Sequence, residues 1–283
     1  MATSGTPLDH AGTETAKTEQ EAAAAIDSGA PAALEIAGEA APQQGLARSI
    51  ALHLAPGAIA TAIYVGFVPF VARAGYPPLA ALLVGVIAGA IPFELGVLLL
   101  AGERKNKRWS LEGVTFNREA WPASRYFTVV PVVVLICIVG YGIGLPIDRV
   151  WHRVAFSWLP QWFVFGRISQ YSGFERSVLL TVFGGRLVFD ALLSPYVEET
   201  YFRAYLLPGI SRFGAWAILI NGGLFAMSRF WQPYSLPTLF LTSLPVVFAT
   251  WMSKNYRVGM AARMVLGLIA GILAIWGVLH LPR

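Results

Sequence analysis

Long apolar stretches alternate with short polar ones over most of this 283-residue chain. A run of about 20 mostly apolar residues is long enough for an α-helix to cross the hydrocarbon core of a bilayer. The pattern predicts an all-α, polytopic membrane helix bundle with about seven transmembrane helices, and with six and eight as the limits. The predicted spans are about 50–71, 78–101, 126–147, 178 to a basic end at Arg212, 213–230, 236–252 and 258–279.

The segment 148–176 is the main ambiguity in this count. It mixes aromatic residues such as Trp151 and Trp158 with basic residues such as Arg149 and Arg153. That mixture is typical of an interfacial or re-entrant helix. A full crossing is the alternative, and it would change the number of spans by one.

The first 45 residues differ in composition from the rest of the chain. They are rich in Ala, Glu, Thr, Gly and Ser and contain no aromatic residue. Such a segment cannot bury enough apolar surface to offset its chain entropy, so we predict a disordered tail over 1–45. Residues 46–283 are predicted to form one multi-pass membrane domain.

Charge indicates how the chain is oriented. The composition is 56% hydrophobic and 13% charged, which excludes a soluble domain and makes the lipid bilayer the first partner. Lys and Arg residues are concentrated in the loop 103–125, which predicts a cytoplasmic loop, a cytoplasmic N-terminus and residence in the cell membrane. Because the basic residues lie in short loops, the net charge of +5 predicts topology and no nucleic-acid partner. The basic residues of this loop are Arg104, Lys105, Lys107, Arg108, Arg118 and Arg125.

A pair of glutamates, Glu198 and Glu199, is followed by Arg203 between two long apolar runs. Ionisable groups at membrane depth rarely face lipid, so they predict a functional site inside the bundle. On a helix, Glu199 and Arg203 are four residues apart and can pair. Glu198 points about 100° away from Glu199 around the helix axis, so it needs a different partner. Arg186 and Asp190 are also four apart, and we interpret them as a structural ion pair.

Two later stretches follow the glutamate motif in a recognisable order. Phe225 is followed four residues later by Arg229, and Arg263 is followed four residues later by Gly267. With the glutamate motif, these stretches make about 178–268 resemble the CAAX-protease and bacteriocin-processing (abortive-infection type) family of intramembrane proteases. In that family the second motif is Phe, three residues and His, and the third is His with a polar residue four later. Arg229 and Arg263 therefore stand at the two histidine positions, and Gly267 at the polar one.

The resemblance implies an intramembrane endopeptidase that hydrolyses peptide bonds. In the family, the first glutamate activates water, and the two histidines and the polar residue complete a site often considered to hold zinc. Carried over by position, Glu198 would be the general base, and Glu199 with Arg203 would be the supporting pair.

The substitutions in the second and third motifs change this chemistry. Arginine has no lone pair to offer a metal and keeps its proton in proteins, so we expect no metal and no other cofactor. Two nearby cations also favour the charged carboxylate and weaken it as a base. We therefore hypothesise that Arg229 and Arg263 form ion pairs with Glu198. The chain has four histidines, and none of them lies in these motifs: His10, His53, His152 and His280.

The sequence is compatible with three functional interpretations. The first is an endopeptidase of this family with impaired or lost metal-dependent catalysis. The second is a non-catalytic membrane scaffold, or a pseudoprotease that binds a membrane protein, a peptide or an anionic group such as a carboxylate or lipid headgroup. The third, a transporter, has less support because the sequence contains no matched pair of broken helices.

Overall fold

The computed structural model describes residues 41–165 and 168–281. The predicted disordered tail lies outside the described residues except for 41–45. Within that short stretch, the backbone N–H of Gln44 donates to the carbonyl of Gly209, and Gln43 donates to the hydroxyl of Ser211.

Within the described residues the chain is built from helices, which confirms the all-α membrane bundle. Six helices there are long and apolar enough to cross a bilayer, and a seventh apolar helix has only 12 residues. In chain order they are α1 (Leu46–Arg73), α2 (Pro78–Asn106), α3 (Ala123–Ala155), α4 (Arg176–Leu206), the short α5 (Trp216–Met227), α6 (Pro233–Ser253) and α7 (Tyr256–Leu279).

The short helix α5 replaces the longer span predicted over 213–230. The chain before it forms a 3₁₀ turn over Pro208–Phe213, and Gly214 then adopts a φ of 56°. That region of backbone space favours glycine and interrupts a right-handed helix. The helix therefore begins at Trp216, and it ends at Met227, well before Pro233.

The segment 148–176 does not cross the membrane as a separate helix. Helix α3 continues to Ala155, and the described residues after it form two short 3₁₀ turns, Gln161–Phe163 and Ile168–Tyr171. The alternative of a full crossing is therefore wrong for the described part of this segment. Its aromatic residues pack on the bundle, where Phe163 lies 5.5 Å from the ring of Tyr64.

One end of the bundle, which we call the basic end, gathers three connections: the loop 107–122, the loop 207–214 and the turn 254–255. The backbone N–H of Glu119 donates to the carbonyl of Lys254 at 3.0 Å, and the side chain of Asn117 donates to the carbonyl of Arg203. The basic loop between α2 and α3 therefore lies at the same end of the bundle as the C-terminus of α4 and the turn before α7.

The opposite end, which we call the aromatic end, contains 156–165, 168–175 and 233–235. The hydroxyl of Tyr234 accepts from the backbone N–H of Phe165 at 2.6 Å, and Trp151 donates to the carbonyl of Pro233. Because α5 starts at the basic end and α6 starts at the aromatic end, α5 and the residues after it complete a passage between the two ends. The described chain thus passes between the ends seven times, six of them by a long helix.

Wide π-helical turns occur in two of the long helices. One lies in α2 (Val86–Ala90), and two lie in α4 (Phe189–Leu193 and Glu199–Leu206). Such turns often occur at functional sites, since each inserts extra residues and redirects the side chains that follow. Those in α4 flank the segment Ser194–Glu198, which ends at the first glutamate of the motif.

Candidate active site

Glu198 is buried with both of its carboxylate oxygens occupied. Its Oε1 accepts a hydrogen bond from the hydroxyl of Ser194, one turn earlier in α4, at 2.6 Å. Its Oε2 accepts from Nη2 of Arg263 at 2.6 Å and from Nη2 of Arg229. The hypothesis that the two motif arginines form ion pairs with Glu198 is therefore confirmed.

Glu199 is fully buried and shares Arg263 with its neighbour. Its Oε1 accepts from Nη1 of Arg263 at 2.9 Å, so this guanidinium bridges the two glutamates. Its Oε2 lies 3.5 Å from Nε of Arg203, which confirms the pair predicted from their spacing along the helix. That contact is an ion pair without a hydrogen bond.

Arg203 has an unusual environment for a buried cation. Its side chain has no exposed surface, and none of its three nitrogens has a hydrogen-bond partner among the described residues. The guanidinium lies 4.3 Å from the ring centre of Phe225, while those of Arg229 and Arg263 lie 4.7 and 5.0 Å from the same ring. Phe225 therefore holds three cations around its ring by cation–π attraction, a contact that the motif alone did not indicate.

Gly267 is a contact between helices. A Cβ atom at this position would lie 2.8 Å from the carbonyl oxygen of Asp190 and 2.8 Å from the Cα of Ala191. Because both atoms belong to backbone, they cannot move aside independently of α4. The position at which the resemblance implies a polar side chain therefore has no room for one.

Sequence reasoning missed Glu94, a third buried carboxyl group near the site. It lies in α2 with 2% of its surface exposed, and it interacts electrostatically with Glu198 and with the three arginines. Its Oε2 has no hydrogen-bond partner among the described residues. The sequence did contain a signal for it: a single acid within an apolar span is expected to face the interior of the bundle.

A second missed group lies behind the cluster and joins three helices. His53 in α1 is buried, with Nδ1 2.7 Å from the carbonyl oxygen of Ser49 and Nε2 3.0 Å from Nδ2 of Asn221. The same Asn221 amide nitrogen donates to the carbonyl of Phe202 in α4 at 3.0 Å. Both ring nitrogens of His53 therefore have a hydrogen-bond partner, which indicates a structural role.

A cavity of about 390 Å³ leads away from the charged cluster between α2, α4, α6 and α7. Arg203, Arg229 and Arg263 line its inner part. The predicted pair of Arg186 and Asp190 is confirmed at 2.5 Å, and it also lines this cavity with 44% and 42% of the side chains exposed. Most other lining residues are apolar, so the cavity has a charged part and a hydrocarbon-like part.

The site does not fit the zinc ion that the resemblance implies. Zinc in proteins binds thiolate sulfur, imidazole nitrogen or carboxylate oxygen. Arg229 and Arg263 offer only N–H donors, and they already neutralise the carboxylate of Glu198. Among the described residues, no group of three His, Cys, Asp or Glu side chains is arranged to hold a metal ion.

Comparison with known proteins identifies the part of the chain that holds this site. A family model described as type II CAAX prenyl endopeptidase Rce1-like matches residues 181–277. Neither a curated protein nor a solved structure matches the chain. The matched range includes the glutamate motif and both arginine-containing stretches, in agreement with the resemblance found over about 178–268. This multi-pass membrane protein therefore carries, over residues 181–277, a type II CAAX prenyl endopeptidase Rce1-like domain.

Proposed function

We propose that this chain is a membrane pseudoprotease, in which the Rce1-like domain encloses a cavity but does not catalyse metal-dependent hydrolysis of peptide bonds. The proposal depends on one observation: both carboxylate oxygens of Glu198 are engaged, one by Ser194 and the other by two guanidinium groups. The resemblance implies that three residues are catalytic: Glu198, Glu199 and Arg203. In this chain they are members of a buried ion-pair cluster.

The contacts of Glu198 oppose its action as a general base. A carboxylate that activates water needs a free lone pair within hydrogen-bond reach of the water and must accept its proton. Two cations on Oε2 of Glu198 stabilise the charged form and oppose that proton transfer. No metal is required to organise the cluster, because three arginines surround two glutamates. Any protein partner would then be bound and released intact, such as a membrane protein or a peptide segment.

A hydrolysis assay tests this proposal directly. The purified protein, reconstituted in nanodiscs, is incubated with a fluorogenic peptide that ends in a prenylated CAAX sequence, with and without added Zn²⁺. We expect the same background signal from the wild-type protein and from the Glu198→Gln variant. Cleavage by the wild type that disappears in Glu198→Gln would establish an active endopeptidase and overturn the proposal.

We also propose that the basic end faces the cytoplasm of the cell. The loop 103–125 supports this orientation, since Lys and Arg accumulate in short cytoplasmic loops. Its contact with the turn at Lys254 adds a further basic residue to the same end. Single cysteines introduced by Glu112→Cys and Ser157→Cys can be labelled in intact cells with an impermeant maleimide. Only Ser157→Cys should react, and the buried native Cys137 supplies little background.

A further inference from the structure

The cavity beside the ion-pair cluster has two chemically distinct parts. Its inner part presents the guanidinium groups of Arg203, Arg229 and Arg263. Its other lining residues are mostly apolar and include Leu82 and Val86 from α2, and the ion pair of Arg186 with Asp190 also lines the cavity. A site with this division complements a molecule that has one charged group and one hydrocarbon part.

Unused hydrogen-bond donors give the inner part its preference for anions. Arg203 borders the cavity but has no exposed surface, whereas the side chain of Arg229 is 13% exposed and can be reached by a ligand. Arg229 uses Nη2 on Glu198, and no described residue accepts from its other nitrogens. Mostly buried N–H groups normally find an acceptor, and a cationic donor binds an anionic acceptor more strongly than a neutral one.

The arrangement of charges leads to the same conclusion. The ion pairs of the cluster join three arginines to two glutamates, so the groups in direct contact carry one positive charge in excess. Glu94 is nearby but forms no ion pair or hydrogen bond with these arginines among the described residues. An anionic headgroup placed against Arg229 would therefore supply both the acceptor and the balancing charge.

The size of the cavity limits the hydrocarbon part. Its volume of about 390 Å³ lies at the lower end of the roughly 300–1,000 Å³ typical of small-molecule sites. That space suits one chain better than the two chains of a phospholipid. We propose that the cavity binds a single-chain anionic amphiphile, a long-chain carboxylate, with its headgroup on Arg229 and its chain between α2, α4 and α7. This inference rests on the proposed function, in which the site holds a ligand without cleaving it.

Trp231 provides a direct readout of binding, since it lines the same cavity with 5% of its surface exposed. The protein in nanodiscs of zwitterionic lipid is titrated with brominated hexadecanoate, and tryptophan fluorescence is recorded. We expect saturable quenching that unbrominated hexadecanoate reverses and that is reduced in Trp231→Phe. A brominated alcohol of the same length should bind at least about tenfold more weakly, because it lacks the charge-assisted hydrogen bonds.

Two variants on α7 test the apolar part without touching the ion pairs. Ala270 lines the cavity, whereas Leu273 on the same helix is 62% exposed and does not line it. Ala270→Phe should reduce the affinity for hexadecanoate several-fold, and Leu273→Phe should leave it unchanged. The melting temperature of each variant confirms that it is folded.

Three results would overturn the inference: no saturable quenching, equal binding of the alcohol and the carboxylate, or equal effects of the two α7 variants. Displacement of hexadecanoate by a two-chain anionic lipid at equal concentration would also overturn it, because the proposal specifies one chain. The hydrolysis assay is independent of these results. Absence of binding without cleavage removes only this inference, whereas binding accompanied by cleavage removes the proposed absence of catalysis.

Discussion

Gly267 in α7 packs so closely on Ala191 in α4 that a Cβ at position 267 would lie 2.8 Å from the Cα of Ala191. This contact explains why a polar side chain is absent at the third motif position. It also brings α7 near enough to α4 for Arg263, one turn earlier, to reach both glutamates. Gly267 and the ion pairs of Arg263 thus belong to the same contact between α4 and α7.

We predict that Gly267→Ala destabilises the protein by about 1–3 kcal/mol, the range typical of overpacking, because backbone atoms of α4 must move. Gly267→Asn should cost more. The measurement is the free energy of unfolding, or the melting temperature, of the purified protein in a mild detergent. Gly142→Ala is the matched control, since a Cβ there meets nothing within 4 Å. Equal stability of the two alanine variants would contradict the prediction.

The second prediction concerns the ligands that the cluster lacks. The double variant Arg229→His/Arg263→His places two imidazoles beside Glu198, and two histidines with one glutamate form a common zinc ligand set. We expect Zn²⁺ to raise the melting temperature of this variant and to leave that of the wild type unchanged. Stabilisation of about 2.7 kcal/mol is expected when free Zn²⁺ exceeds its dissociation constant by about a hundredfold.

The control for the zinc experiment is Arg229→Gln/Arg263→Gln, which removes the same two charges without supplying imidazoles. If both double variants respond equally to Zn²⁺, the metal binds elsewhere and the assignment of the two histidine positions is wrong. Position 267 stays glycine in both variants, because asparagine would add the steric conflict described above.

The third prediction concerns the stability that Glu198 provides. Glu198→Ala leaves two guanidinium groups with 13% and 19% exposure without their shared partner. Removing one partner of a buried ion pair typically costs about 3–5 kcal/mol. The loss should appear as a lower free energy of unfolding, with Glu112→Ala in the exposed loop as a control that changes it little. A neutral result for Glu198→Ala would show that the pairs do not stabilise the fold.

Local spacing predicted part of this architecture. The ion pairs of Glu199 with Arg203 and of Arg186 with Asp190 follow from a four-residue separation on a helix, and both are present. The contact of Glu198 with two distant arginines was predicted from the family resemblance, which placed Arg229 and Arg263 at the two histidine positions of the motifs. These inferences succeed because an unpaired charge at membrane depth is expensive.

Features that depend on how helices approach each other were not predictable in the same way. Glu94 is one acid in an apolar span, which favours the bundle interior, but its closeness to Glu198 depends on how α2 packs against α4. The tight packing of Gly267 depends on the path of α4 through a π-helical turn, and such turns have no distinct hydrophobic period. The early break before α5 arises from Gly214, whose positive φ is not evident from composition.

The last prediction concerns the amide of Asn221, which joins α1, α4 and α5 behind the cluster. Its Nδ2 donates to Nε2 of His53 and to the carbonyl of Phe202. Asn221→Asp keeps the shape of the side chain but replaces this donor with an acceptor, so both partners lose their hydrogen bond and face a negative charge. An unsatisfied buried polar group usually costs about 1–3 kcal/mol. We expect Asn221→Asp to lower the free energy of unfolding by more than that.

Asn221→Leu removes the same hydrogen bonds without adding charge, so it should destabilise the protein less than Asn221→Asp does. Asn106→Asp serves as the control for the chemical change itself, because Asn106 donates to the carbonyl of Glu112 in an exposed loop. Free energies of unfolding for the three variants separate the effects. If Asn221→Asp costs no more than Asn106→Asp, the buried amide does not act as a double donor, and the contact of α1 with α4 must be maintained by apolar packing around Phe202.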